Sequence, residues 1–127
     1  MAPIAATFVF FLGVLLTALA INTTRLRLRF GRDLDAAAKE SIRRASRTHG
    51  NSVEHGVVFT LLLFFAELQG VDAGWLQALG GAFLVARLAY AYGYYKKPVS
   101  TPMRIGAGVT YALELILLNL LGVALFL

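Results

Sequence analysis

An all-α fold, a four-transmembrane-helix bundle, is what this sequence predicts, and three observations predict it. Of 127 residues, 58% are hydrophobic and only 15% are charged, and the mean hydropathy is +0.70, the balance of a chain whose preferred solvent is lipid. A bilayer-crossing helix needs about 20 mostly apolar residues. Four stretches qualify, approximately 3 to 22, 51 to 69, 74 to 95 and 104 to 127. The connections between them hold no second core, so residues 1–127 read as a single integral membrane domain.

The first span carries no charge from Met1 to Thr24. Ala18-Leu19-Ala20 mimics the cleavage site of a secretory signal, but the basic start of such a signal is missing. Arg25, Arg27, Arg29 and Arg32 follow directly as a stop-transfer flank, so the span is retained. Arg25-Leu26-Arg27-Leu28-Arg29-Phe30 alternates with period two, a strand signal on paper. A lone strand would have no partner here, and a helix end whose arginines snorkel to phosphates is preferred. Asp33 to Arg47, rich in Ala, Lys, Glu and Arg, begins a helix that continues into the second span.

The second connection, Gln69-Gly70-Val71-Asp72-Ala73-Gly74, is a tight turn that makes spans two and three antiparallel neighbours. Pro98 and Pro102 break the chain before span four. The first connection holds eight Lys and Arg, the second none, and the third Lys96 and Lys97, with Arg104 opening span four on the same side. The positive-inside rule therefore predicts that this side is cytoplasmic and that both termini are on the other. Short connections favour a bacterial inner membrane.

Composition also excludes. With no cysteine, there is no disulfide framework and no thiolate metal site. His49 and His55, six residues apart, have no recognised metal spacing and read as interfacial polar residues, so no metal is expected. The net charge of +5 lies between apolar spans and suits lipid headgroups or an anionic ligand, not nucleic acid.

Charges at membrane depth are expensive and need partners or a job. Arg47, Asn51 and Glu54 are spaced four and three apart and stack on one helical face, with Arg43 and Arg44 extending the stripe outward. Arg87, Tyr90 and Tyr94 form a second stripe in span three. Arg87 needs an acid or several acceptors, and Glu54 on the antiparallel neighbour is the expected partner. Tyr111 follows Arg104 by seven residues and shares its face. Glu114 lies deeper, and without a partner it would be protonated.

These residues carry a resemblance. Arg47-Thr48-His49-Gly50-Asn51-Ser52-Val53-Glu54 with Glu67-Leu68-Gln69-Gly70, then Arg87-Leu88-Ala89-Tyr90 with Tyr94, then Pro102-Met103-Arg104 resemble the MAPEG family, the membrane-associated proteins in eicosanoid and glutathione metabolism. The resemblance covers essentially the whole chain. It implies a homotrimer of four-helix protomers binding glutathione as cosubstrate between adjacent protomers, near the cytoplasmic face. It also implies that Arg47, Asn51, Glu54, Tyr90, Tyr94 and Arg104 contact glutathione, that Arg25 is offered by the neighbouring protomer, and that Arg87 gives structural support. Gly50 stands where some prostaglandin-synthase relatives have arginine, and Gly108 replaces a last-helix tyrosine, with Tyr111 displaced by one turn. A general transferase or peroxidase is therefore expected over a narrow prostaglandin synthase.

Glutathione bears two carboxylates and one ammonium, and several arginines plus one glutamate complement it. Arg104 is the candidate holder of the thiolate, with Tyr94 or Tyr111 as alternatives. The second substrate would be a lipophilic electrophile or hydroperoxide dissolved in the surrounding lipid. Two other readings are a noncatalytic trimeric scaffold of the same family and a small multidrug exporter. The exporter would resemble a design with an acidic residue in the first span, and Met1 to Thr24 has none.

Overall fold

The computed structural model describes every residue except Asp33 and Pro98. Four helices follow one another: α1 (Pro3–Phe30), α2 (Ala36–Leu68), α3 (Ala73–Lys96) and α4 (Thr101–Phe126). No strand occurs among the described residues. The alternating Arg25–Phe30 segment is helical and belongs to α1, and Gly31 ends that helix with its N–H donating to the Arg27 carbonyl.

α2 is 33 residues long and runs unbroken from the basic connection into the apolar span. Its first turn is capped by Asp35, whose Oδ1 accepts from Ala38 N at 2.7 Å, satisfying one of the N–H groups that every helix start leaves orphaned. The tight turn predicted between spans two and three is present. Gly70 takes φ 78°, a left-handed conformation that costs glycine nothing, and Asp72 Oδ1 accepts from Trp75 N to start α3. Pro102 does not break the chain before α4 as expected. It occupies the first turn of that helix, where its missing N–H has no helical acceptor to lose. Pro98, expected to act with it, lies outside the described residues, as does Asp33.

α2 and α3 form the centre, each touching the other three helices, while α1 and α4 flank them without touching each other among the described residues. Three helices, α1, α2 and α4, are long and apolar enough to cross a membrane. The expectation of four such spans is thus met by length but not by composition. α3, at 24 residues, measures about 36 Å against about 30 Å of hydrocarbon, but Arg87, Gln77 and its glycines dilute its hydropathy.

The packed core lies away from the basic connections. Phe59 and Phe83 stack at 4.1 Å between centroids, and Phe8 closes on both at 5.2 and 5.7 Å. Leu63, Leu76, Leu117 and Ala66 complete it, with no measurable exposure. Lipid tails are as apolar as these side chains, so close packing rather than water exclusion holds such a bundle together. Glu67 adds a polar latch at this end: its two carboxylate oxygens accept from Ile4 N and Ala5 N at 2.9 and 2.7 Å. A carboxylate from the end of α2 thereby caps the positive start of α1.

Candidate functional site

Toward the basic connections the bundle interior turns polar, and Arg87 is its centre. The side chain is fully buried. Its Nη2 donates to Asn51 Oδ1 at 2.7 Å and to Ser52 Oγ at 3.0 Å, and Nη1 donates to Thr110 Oγ1 at 3.3 Å. The guanidinium also lies 4.4 Å above the Tyr90 ring, a favourable place for a desolvated cation. Nε has no hydrogen-bond partner.

Glu54 is not the partner of Arg87. It is exposed, and three neutral oxygens from α2 and α4 take the place of the expected carboxylate. The physical reason is register. Glu54 is exposed on α2, whereas Ser52, about half a turn earlier, and Asn51 beside it reach Arg87 of α3. Ser52 and Thr110 escaped notice in the sequence because a hydroxyl in an apolar helix usually bonds its own backbone, as Thr110 also does to Gly106 O at 2.7 Å.

A close seam makes this node possible. A Cβ built on Gly106 of α4 would stand 2.6 Å from both Ala86 O and Tyr90 N of α3. Only glycine permits that approach, the small-residue packing favoured between membrane helices.

His55 and Glu114 also depart from expectation. His55 Nδ1 and Glu114 Oε1 are 2.9 Å apart, both largely buried, and the Tyr111 ring meets the imidazole edge-on at 5.0 Å. Glu114 therefore has a partner in His55, which bridges α2 to α4 rather than sitting as an interfacial residue. Each was a polar side chain at depth with no mate on its own helix, the signal that could have paired them.

The remaining site candidates lie on open faces. Arg25, Arg47, Glu54, Arg104 and Tyr111 are exposed, Asn51 and Tyr94 are half-buried, and Tyr90 is buried. The structure thus brings Asn51, Arg87, Tyr90 and Tyr94 together, the two tyrosines stacked at 5.8 Å, and leaves the charged groups around them uncovered. Arg25 donates to Asn22 Oδ1 at 3.2 Å and lines a groove of about 360 Å³ with Thr48, Tyr92 and Tyr95. Arg43 and Arg44 do not extend a free cationic stripe, because both are clamped by Glu40 at 2.7 and 2.8 Å. Those hydrogen bonds hold the Glu40 carboxyl down at about 2 and push the Arg43 guanidinium up. A larger groove, about 480 Å³ between α1 and α3, lies at the other end among Pro3, Thr7, Phe11, Gln77 and Leu84; no ionisable side chain lines it, so the chemistry belongs to the basic end. No cluster of His, Asp or Glu able to hold a metal occurs among the described residues.

Comparison with known proteins bears on this arrangement. The model of the MAPEG family matches residues 5–126, a stretch containing the whole polar node, all of α2, α3 and α4, and α1 but for its first two residues. The chain belongs to the MAPEG family. It is similar to the inner membrane protein YecN of Escherichia coli K12, with 25% identity over 94 residues, 74% of this chain and 72% of that one. The same figures hold for YecN of Escherichia coli O6:H1 strain CFT073. A membrane protein of the MAPEG family is therefore what the fold and the match establish together.

Proposed function

We propose that this MAPEG protein is a glutathione-dependent transferase, with peroxidase activity toward hydroperoxides, acting as a homotrimer in a bacterial inner membrane. All four helices cross the bilayer, and both termini face away from the cytoplasm. The inner-membrane assignment follows the similarity to YecN, an inner membrane protein, together with the apolar helices.

One observation carries the reading: Arg25, Arg47, Glu54 and Arg104 are exposed on the single protomer, and none of them takes part in the buried network around Arg87. Glu54, just inside span two, is costly in lipid without a partner, and arginines that can snorkel to headgroup phosphates can equally bind another anion. A neighbouring protomer and an anionic tripeptide would cover them, and the charges match: arginines for two carboxylates, Glu54 for the ammonium or an amide N–H. Arg25, far from Arg104 in sequence and at the end of a flanking helix, would serve the site of the adjacent protomer.

Arg104 supplies the chemistry. A thiol of pKa about 8.5 is mostly protonated at neutral pH, and lowering it to about 7 needs roughly 2 kcal/mol. A guanidinium placed against the sulfur, in surroundings of low dielectric, can supply that. The thiol proton leaves to solvent, and the sulfur lone pair forms a C–S bond with a lipophilic electrophile as its leaving group departs with the bonding electrons. Tyr94 and Tyr111 stand as lesser donors to the same sulfur. Tyr111 is also edge-on to His55, which favours Tyr94.

The test is the thiolate absorbance of bound glutathione against pH. Arg104→Ala should move its midpoint upward by about 1.5 units and slow turnover of chlorodinitrobenzene about 10²-fold; an unmoved midpoint removes Arg104 from the role. Replacing Arg25 should weaken binding about tenfold. In mixed oligomers the loss should track the subunit next to the mutated one, and loss confined to the mutated subunit would argue against a shared site.

A further inference from the structure

We infer that Arg87 fixes the orientation of the Asn51 amide, so that Asn51 faces the ligand as a hydrogen-bond donor and selects an anionic or carbonyl oxygen there. This rests on the glutathione reading above and deepens it, assigning Arg87 a positioning role beyond structural support.

The argument is one of donor inventory. A guanidinium has five N–H donors and no acceptor, so the Asn51 atom 2.7 Å from Arg87 Nη2 has to be the amide oxygen. The choice between O and N, open for many asparagines, is closed for this one. Nδ2 is then directed away from Arg87. It has no hydrogen-bond partner among the described residues, and it is not among the buried orphan atoms, so its two protons are accessible on the half-buried side of the residue. Arg47, one turn earlier on the same helix, is exposed and also only donates. Two donor groups in succession along α2 ask for a carboxylate or carbonyl oxygen, and Glu54 beyond them accepts.

Arg87 is itself held. Ser52 Oγ accepts from the same Nη2 and Thr110 Oγ1 from Nη1, Tyr90 lies beneath the guanidinium, and full burial leaves it no alternative solvation. Rotating the Asn51 amide would put N–H groups against the N–H groups of a fully buried guanidinium, which low dielectric makes costly. Asn51 is therefore preorganised before ligand arrives.

Asn51→Asp separates the two halves of the inference. An aspartate keeps an oxygen toward Arg87 and adds an ion pair, but it has no N–H to offer. Its thermal stability in detergent should equal or exceed that of the wild type, whereas Asn51→Ala, which leaves Nη2 with Ser52 Oγ alone, should be less stable. Glutathione affinity, measured by calorimetry, should fall about tenfold or more in Asn51→Asp despite the intact fold. Undiminished affinity would overturn the donor role, and Asn51→Asp less stable than Asn51→Ala would overturn the contact that sets it. The positioning role is read in Arg87→Met, where a further Asn51→Ala change should cost much less affinity than it does in the wild type. Full additivity would refute it; should Arg87→Met fail to fold, the Asn51→Asp pair of readouts still decides. If wild-type protein binds no glutathione, the functional reading fails on its own, while the stability order of the two Asn51 variants still reports the Arg87 contact.

Discussion

The two ends of the bundle are held by different physics. At the end away from the basic connections, Phe8, Phe59 and Phe83 interlock with leucines, and the carboxylates of Glu67 and Asp72 are spent on capping α1 and α3. At the basic end, the interior is a guanidinium with three neutral acceptors and a phenol face, and a histidine–glutamate bridge lies nearby. The first arrangement makes a scaffold and leaves nothing to react. The second is more costly in lipid and presents unused donors, which a scaffold alone would not need.

The contrast can be tested by substitution. Phe83→Ala removes a fully buried ring from the aromatic stack and should cost about 3–5 kcal/mol of stability. Glutathione affinity of the surviving folded protein should not change, and a fall in affinity would show that the two ends are coupled. Gly106→Val places methyls against the α3 backbone and should destabilise by about 1–3 kcal/mol through overpacking. Unlike Phe83→Ala, it should also weaken binding, since it displaces the helix that carries Arg104 and Thr110. Equal affinity in the two variants would erase the distinction.

The smallest effect is at Glu40. Its carboxyl, held near 2 instead of the ordinary 4.5, favours the folded state at pH above about 4.5, and this contribution is lost as pH falls toward about 2. The group is solvent-exposed, so the change in stability should be slight. A carboxyl-carbon NMR titration should place the midpoint near 2, and a midpoint near 4.5 would mean that Arg43 and Arg44 are free to join the open cationic face.

What was legible in the sequence was whatever period and composition encode. Helix positions, the turn at Gly70 and the continuity of α2 through the interface follow from apolar length, glycine and charge placement. The polar stripes were visible as spacing along one helix. Pairing across helices was not, because spacing fixes the face of a residue but not its rotation toward a neighbour. Glu54 was matched to Arg87 on depth alone, whereas a small rotation of α2 turns Asn51 and Ser52 inward and Glu54 out. His55 and Glu114, 59 residues apart, could meet only once α2 and α4 were placed side by side. Gly106 looked like one of several glycines, and only the α3 backbone beside it gives it a task.

That glycine has a mechanical corollary. With their backbones this near, α3 and α4 must travel as one stiff plank, so any gap that opens for an incoming molecule has to come from the opposite flank. There α1 is moored at its start by the Glu67 carboxylate and the Phe8 ring, and near its far end by Arg27 Nη2 reaching Ser46 Oγ at 3.3 Å, so the give on that side belongs to the basic end.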